Sequence, residues 1–257
     1  MKKVKLWTKE ELVIALNLYW KVPYNKISGT SNNEIKALSK IIGRTPAAIA
    51  YKLMNFTTLD EERIQKGNKG KESVGKLDEI VWEEYKNKWE KLTNDSMFIL
   101  AKLQNKPIES MVELNQDVSQ LEGKEKARVV KARINQYDFR KRILASYNQR
   151  CCVTGIDIPE LLVASHIIPW SISEQERLNP KNGLCLNALH DLAFDKGLIT
   201  VTPDFKIKIS NEIKKEKINF NRYDQMFFQY ENKLIELPDR FLPDEKFLTW
   251  HNQNVFK

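Results

Sequence analysis

The chain of 257 residues contains only three histidines and three cysteines. Cys151, Cys152 and Cys185 give no plausible disulfide framework, and no Cys-x-x-Cys pair occurs, so a four-cysteine structural zinc is excluded by inventory. The thiols then read as small buried hydrophobes. No segment approaches the roughly 18 consecutive apolar residues that a membrane span needs. The opening, Met1-Lys2-Lys3-Val4-Lys5, turns polar at once and lacks the apolar core of a secretory signal. The expectation is a protein with no membrane partner that works in the cytoplasm where it is made.

What is abundant is charge of both signs with a basic excess. Charged residues make up 30% of the chain and the net charge is +8, which favours a polyanionic partner. The distribution says more than the total. Lys124, Lys126, Arg128, Lys131, Arg133, Arg140, Lys141, Arg142 and Arg150 are opposed only by Glu125 and Asp138. A basic helix here, feeding the histidine-bearing stretch that follows, is where phosphate contacts would be made. A charge run is as often simply a solvated helix face.

Three segments are expected. Residues 1–58 read as a helical unit. Thr8 with Glu11 makes a capping box before Leu12, Ala15, Leu16 and Tyr19, and Ser31 with Glu34 repeats the pattern before Ile35, Leu38 and Ile42. Gly43 suits a left-handed helix end, Thr45 an N-cap and Pro46 the first helical position. Trp7 and Trp20 are candidates for its core. Helix, short turn and helix is a helix-turn-helix pattern, and the arrangement resembles Myb- or SANT-like trihelical DNA-binding units. Its candidate nucleic-acid contacts are Arg44, Thr45, Tyr51, Lys52 and Asn55; the plainer alternative is a packing or interaction module.

Residues 59–124 read as a linker. It holds a Lys/Gly-rich stretch at 66–76, a long helix at 77–103 and a connector at 105–122. Residues 125–257 begin with a helix to Tyr147. They continue as short β pieces at 151–154, 161–164 and 183–186, a helix at 189–194, and a hairpin at 198–201 with 206–209 turning at Pro203-Asp204. The C-terminal piece is expected to wrap the core. The fold class is therefore α+β.

Two of the three histidines fall between Cys151 and Thr202. His166 ends the apolar stretch Leu161-Leu162-Val163-Ala164-Ser165, Asn182 follows in a loop, and His190 opens a helix. A neutral imidazole on a rigid strand accepts a proton near neutral pH, so His166 is the candidate general base. His190 is the candidate metal ligand. Asn182 either braces the loop and orients His166 or ligates through its oxygen. His251, in Trp250-His251-Asn252, lies away from this stretch and reads as structural.

These residues resemble the HNH endonuclease family, whose nuclease fold is a ββα-metal unit. The resemblance rests on Ala164-Ser165-His166-Ile167-Ile168-Pro169-Trp170, then Asn182-Gly183-Leu184, then His190-Asp191-Leu192-Ala193-Phe194-Asp195. The lead-in runs Arg133 to Arg140 and Cys151 to Gly155. One departure is Ser165, where many such sites carry an acidic or histidine ligand. The coordination shell must then be completed elsewhere, with Asp195 the candidate and Asp191 and Asn182 its competitors. Oxygen and imidazole ligands suit Mg²⁺ or Mn²⁺, with Zn²⁺ or Ni²⁺ as alternatives.

The resemblance implies a metal-dependent DNA endonuclease of a bacterial restriction or phage-defence system, leaving 5′-phosphate and 3′-hydroxyl ends. Duplex DNA would be the partner of this nuclease domain, residues 125–257, with its Arg133, Gln136, Arg140 and Arg142 as nucleic-acid contacts. Cutting both strands calls for two active sites, hence a homodimer. Two alternatives stand: a non-catalytic DNA-binding regulator with a degenerate HNH fold, and an RNA-directed nuclease.

Overall fold

The computed structural model describes residues 5–67, 74–111, 123–215 and 224–257. Residues 68–73 of the Lys/Gly-rich stretch and 112–122 of the connector lie outside the described residues. The chain divides into two compact units, residues 1–141 and 142–257.

The first unit is built from α1 (Lys9–Tyr19), α2 (Asn33–Ile42), α3 (Pro46–Phe56), α4 (Glu61–Gln65), α5 (Lys76–Tyr85), α6 (Trp89–Gln104) and the first part of α7 (Gly123–Ser146). α1 is buried nearly all round, which marks it as the central helix; α2, α3, α5 and α6 all pack on it. Its N-terminus carries the Thr8–Glu11 capping box, a device that satisfies two otherwise orphaned amides. Gly43 ends α2 with φ 64°, the left-handed region that favours glycine. Thr45 caps α3 and Pro46 opens it. The N-cap of α2 is Asn32 and not Ser31, because the Asn32 side chain accepts from the Ile35 amide at 2.9 Å and starts the helix at Asn33.

The long helix expected at 77–103 is two helices. Asn87 adopts φ 59° between α5 and α6, breaking the backbone hydrogen-bond ladder. Both helices join the core of α1–α3. Trp20 and Trp82 meet at 5.1 Å, Trp20 and Trp89 at 5.4 Å, and Phe56 stacks on Trp82. Each buried aromatic contributes on the order of 2–3 kcal/mol of apolar burial. Asp138 on α7 is fully buried, and its charge is compensated by Lys21 at 2.5 Å, Thr93 at 2.9 Å and Asn17 at 3.2 Å. A buried carboxylate needs such partners.

Among its described residues the second unit contains the end of α7, two small antiparallel sheets and the helices α8 to α10. β1 (Leu162–His166) pairs with β2 (Gly183–Asn187) in the register Leu162↔Asn187 to His166↔Gly183. α8 (Ala188–Asp195) follows β2 directly, capped by Asn187. β3 (Ile199–Val201) and β4 (Ile207–Ile209) form the expected hairpin. α9 (Asn211–Lys215) follows, and α10 (Glu245–Asn254) packs on β3. Residues 151–154 form a tight turn instead of a strand. The Cys151 amide donates to Ile156 and the Gly155 amide back to Cys151, each at 2.8 Å, so the chain folds on itself and only Cys152 bonds to β2, its amide donating to Cys185 at 2.8 Å.

The C-terminal chain wraps this unit, as expected. Its main-chain amides at Glu236, Asp239 and Asp244 donate to Cys152, Ser146 and Lys181. At Gly197 (φ 70°) a Cβ would lie 2.0 Å from the Val255 carbonyl oxygen, so the close approach of the C-terminus requires glycine there. Among the described residues no helix is long and apolar enough to cross a membrane.

Candidate active site

The β1–β2 hairpin and α8 bring His166, Asn182, His190, Asp191 and Asp195 into one small ββα unit. The strands are short and polar at their ends, and the long loop between them, residues 167–182, must be held by side chains. Asn182 does this. Buried to 1% exposure, it accepts from the Ile168 amide at 2.7 Å through Oδ1. Its Nδ2 donates to the carbonyls of Ile168 at 3.0 Å and Glu176 at 3.2 Å. Of the two roles open to it in sequence, the amide is occupied with bracing the loop.

His166 closes β1. Its Nε2 lies 3.0 Å from the Arg177 carbonyl oxygen. A carbonyl only accepts, so the neutral ring carries its proton on Nε2 and its lone pair on Nδ1. Trp170 stands edge-on to the ring, with centroids 5.5 Å apart. Burial lowers the His166 pKa below the ordinary imidazole value, against smaller opposing effects of the Arg177 carbonyl and Asp191. The ring is thus neutral at neutral pH.

His190 is differently placed. It is 3% exposed, and both ring nitrogens are engaged: Nε2 with the Met226 carbonyl at 2.9 Å, Nδ1 with the Asn187 amide group at 2.9 Å. Phe227 and Tyr230 pack edge-on against it. Burial lowers its pKa too, the Met226 carbonyl opposing. In this arrangement His190 ties the start of α8 to the 226–230 segment.

On α8, Asp191 is within electrostatic reach of His166. Burial pushes the Asp191 carboxyl above its usual range, partly offset by Ser165 and His166. Burial and the Asp191 charge likewise raise Asp195, with Lys196 opposing. Asp191 and Asp195 are one helical turn apart on the same face. A carboxylate raised by burial together with a neighbouring carboxylate charge, as Asp195 is beside Asp191, marks a place where a cation is electrostatically favoured. The pair fits a hard divalent ion such as Mg²⁺, which takes one or two carboxylates and completes its shell with water and phosphate oxygens. Among the described residues no group of three or more His, Cys, Asp or Glu is arranged to hold a metal.

The three cysteines are buried, and burial pushes the Cys152 thiol well up, so it stays protonated. His251 stacks on Phe194 at 3.7 Å and bonds to Thr200 and the Phe194 carbonyl. It belongs to the packing of α10.

The expected nucleic-acid contacts divide sharply. Arg44 pairs with Glu11 at 2.7 Å, donates to the Lys5 and Leu6 carbonyls and stacks on Trp7. Lys52 is buried in an ion pair with Asp78 at 2.7 Å, and Asn55 is buried. Arg142 is fully buried. Arg44 and Lys52 are thus engaged in internal ion pairs, and Asn55 and Arg142 are buried. Thr45 serves as the cap of α3. Tyr51 and Gln136 are exposed, and Arg133 and Arg140 are half-buried. Trp7, a candidate for the core, instead lies between Arg44 and Lys52. Two site residues carried no signal in sequence: Arg177, whose carbonyl accepts a hydrogen bond from His166 Nε2, and Asn187, whose capping role follows only once α8 is known to start at Ala188.

Residues 151–202 match the family model described as HNH endonuclease. No curated protein matches the chain significantly.

Proposed function

Since residues 151–202 belong to the HNH endonuclease family, we propose that the chain is a metal-dependent endonuclease that hydrolyses phosphodiester bonds of duplex DNA in bacterial restriction or phage defence. The observation that carries this reading is the neutral His166, its proton held on Nε2, beside Asp191, which in turn acts on Asp195 one helical turn further along α8.

In the proposed reaction, Nδ1 of His166 takes a proton from a water molecule as its oxygen attacks phosphorus. The P–O3′ bond breaks, the leaving 3′-oxygen takes a proton from solvent, and the ends are a 5′-phosphate and a 3′-hydroxyl. A divalent cation, held by Asp191 and Asp195, would supply charge stabilisation to the phosphate and the leaving oxygen. Mg²⁺ or Mn²⁺ suits carboxylate oxygens better than Zn²⁺ or Ni²⁺. Asn182 keeps the loop from displacing His166, and His190 anchors α8. Arg133, Gln136 and Arg140 on α7 are the proposed phosphate contacts, with Tyr51 available on α3. Cleavage of both strands favours a homodimer.

The test is cleavage of supercoiled plasmid, unmodified and modified, with Mg²⁺, Mn²⁺ or EDTA. Metal-dependent nicking or linearisation is expected, reduced in Asp191→Asn. Binding without cleavage in every metal would favour a DNA-binding regulator, and preferential cleavage of structured RNA would redirect the substrate assignment.

A further inference from the structure

We infer that the Arg177 side chain is a positioning residue that fixes the tautomer and direction of the His166 ring. The inference rests on the reading of His166 as the base. Within the 167–182 loop, main-chain carbonyls at two consecutive residues are captured by site side chains. Glu176 accepts from Asn182 Nδ2 at 3.2 Å, and Arg177 accepts from His166 Nε2 at 3.0 Å. Asn182 is buried and reaches Ile168 and Glu176, so it holds the two flanks of the loop. Nothing in its contacts holds the stretch between them.

Arg177 does. Its Nε donates to the Trp170 carbonyl at 2.8 Å, closing a seven-residue span, and its Nη1 reaches Glu174 at 3.1 Å. Its guanidinium lies 5.2 Å from the centroid of the Trp170 ring, the same ring whose edge meets His166. One residue thus supplies the carbonyl that accepts the His166 proton and the side chain that holds the ring packed against it. The side chain is 27% exposed, so it has left much of its hydration for these contacts. A guanidinium suits this place because one planar group serves a carbonyl, a carboxylate and an aromatic face together. A lysine has a single point charge on a flexible stem.

The consequence is a loop that cannot let the Arg177 carbonyl drift from Nε2 while Trp170 is held. Without the side chain, the carbonyl is free to move, the neutral imidazole samples both tautomers, and the lone pair no longer stays on Nδ1. A displacement of about 1 Å at a reacting group costs up to about 100-fold in rate.

The experiment uses the full chain, with Arg177→Ala and Arg177→Lys beside wild type. Long-range ¹H–¹⁵N spectra at pH 8 read the ring nitrogens of the three histidines, with His166 assigned by loss of its signals in His166→Gln. The Nε2–H form is expected for His166 in wild type, and a mixture of tautomers in Arg177→Ala. Single-turnover cleavage at saturating DNA should fall about 10- to 100-fold with DNA affinity unchanged within about twofold. Arg177→Lys should recover part of both signals, and it serves as the deciding variant if Arg177→Ala does not fold. A His166 ring that stays wholly in the Nε2–H form in the folded variant would overturn the inference, as would wild-type cleavage. The spectra need no turnover, so they decide the matter even if the chain proves to cut nothing.

Discussion

Asn182 and Ile168 are joined by a two-way amide pair: Oδ1 accepts from the Ile168 amide at 2.7 Å and Nδ2 donates to its carbonyl at 3.0 Å. The pair lies just beyond His166, so it holds the first turn of the loop after β1. Asn182→Ala removes both bonds and that to Glu176, leaving buried main-chain groups unsatisfied. A loss of about 2–4 kcal/mol in urea unfolding is expected, with a cleavage rate at least about tenfold lower. Asn182→Asp, which keeps the acceptor and loses two donors, should fall between. Wild-type stability in Asn182→Ala would remove the bracing role.

Asp191 is expected to trade stability for function. Its pKa is raised by burial, so the ionised form disfavours the folded state at neutral pH. Asp191→Asn should therefore melt at the same temperature as wild type or higher in EDTA, yet need more Mg²⁺ or Mn²⁺ for cleavage and bind either metal more weakly by calorimetry. Unchanged metal affinity in this variant would exclude Asp191 as a ligand.

The buried His251 gives the fold an acid-sensitive point. Burial, opposed by the Phe194 carbonyl, lowers its pKa from 6.5 to about 4. Below 6.5 the unfolded chain binds a proton that the folded chain does not. Stability is thus fully present above that value and is lost as the pH falls toward about 4. The difference corresponds to on the order of 3 kcal/mol. Unfolding free energies measured at pH 7 and pH 4.5 should show His251→Gln losing less than wild type over this interval. An equal loss in both proteins would assign the acid sensitivity to other groups.

The phosphate contacts assigned to α7 make a prediction about salt. Arg133→Ala and Arg140→Ala should each flatten the slope of log affinity against log salt by about one unit, weakening binding to all duplex sequences alike. A slope unchanged in the double variant would exclude both as contacts.

Much of this architecture is legible in the amino-acid sequence. Thr8 with Glu11, Gly43 and the Thr45-Pro46 pair mark helix ends by local chemistry alone, and they stand as expected. β1, β2 and α8 follow from a short apolar strand, Gly183, and the periodic run after Asn187. What was not legible depends on distant partners. Arg44, Lys52 and Arg142 read as available cations, but local sequence does not show that Glu11 and Asp78 wait across the fold. The hydrogen bond between His190 and the Met226 carbonyl depends on chain 36 residues away. The break at Asn87 was hidden because the apolar stripe continues on both sides of it. Arg177 gave no signal, since its chief contribution to His166 is a main-chain carbonyl.

The central claim is that His166 is the base of a metal-dependent nuclease. It is tested most directly by single-turnover cleavage of duplex DNA in Mg²⁺ or Mn²⁺ by wild type and His166→Ala, with binding followed in EDTA. The account predicts a fall of about 100- to 10,000-fold in rate with DNA affinity and melting temperature essentially unchanged. Cleavage by His166→Ala at the wild-type rate would contradict it.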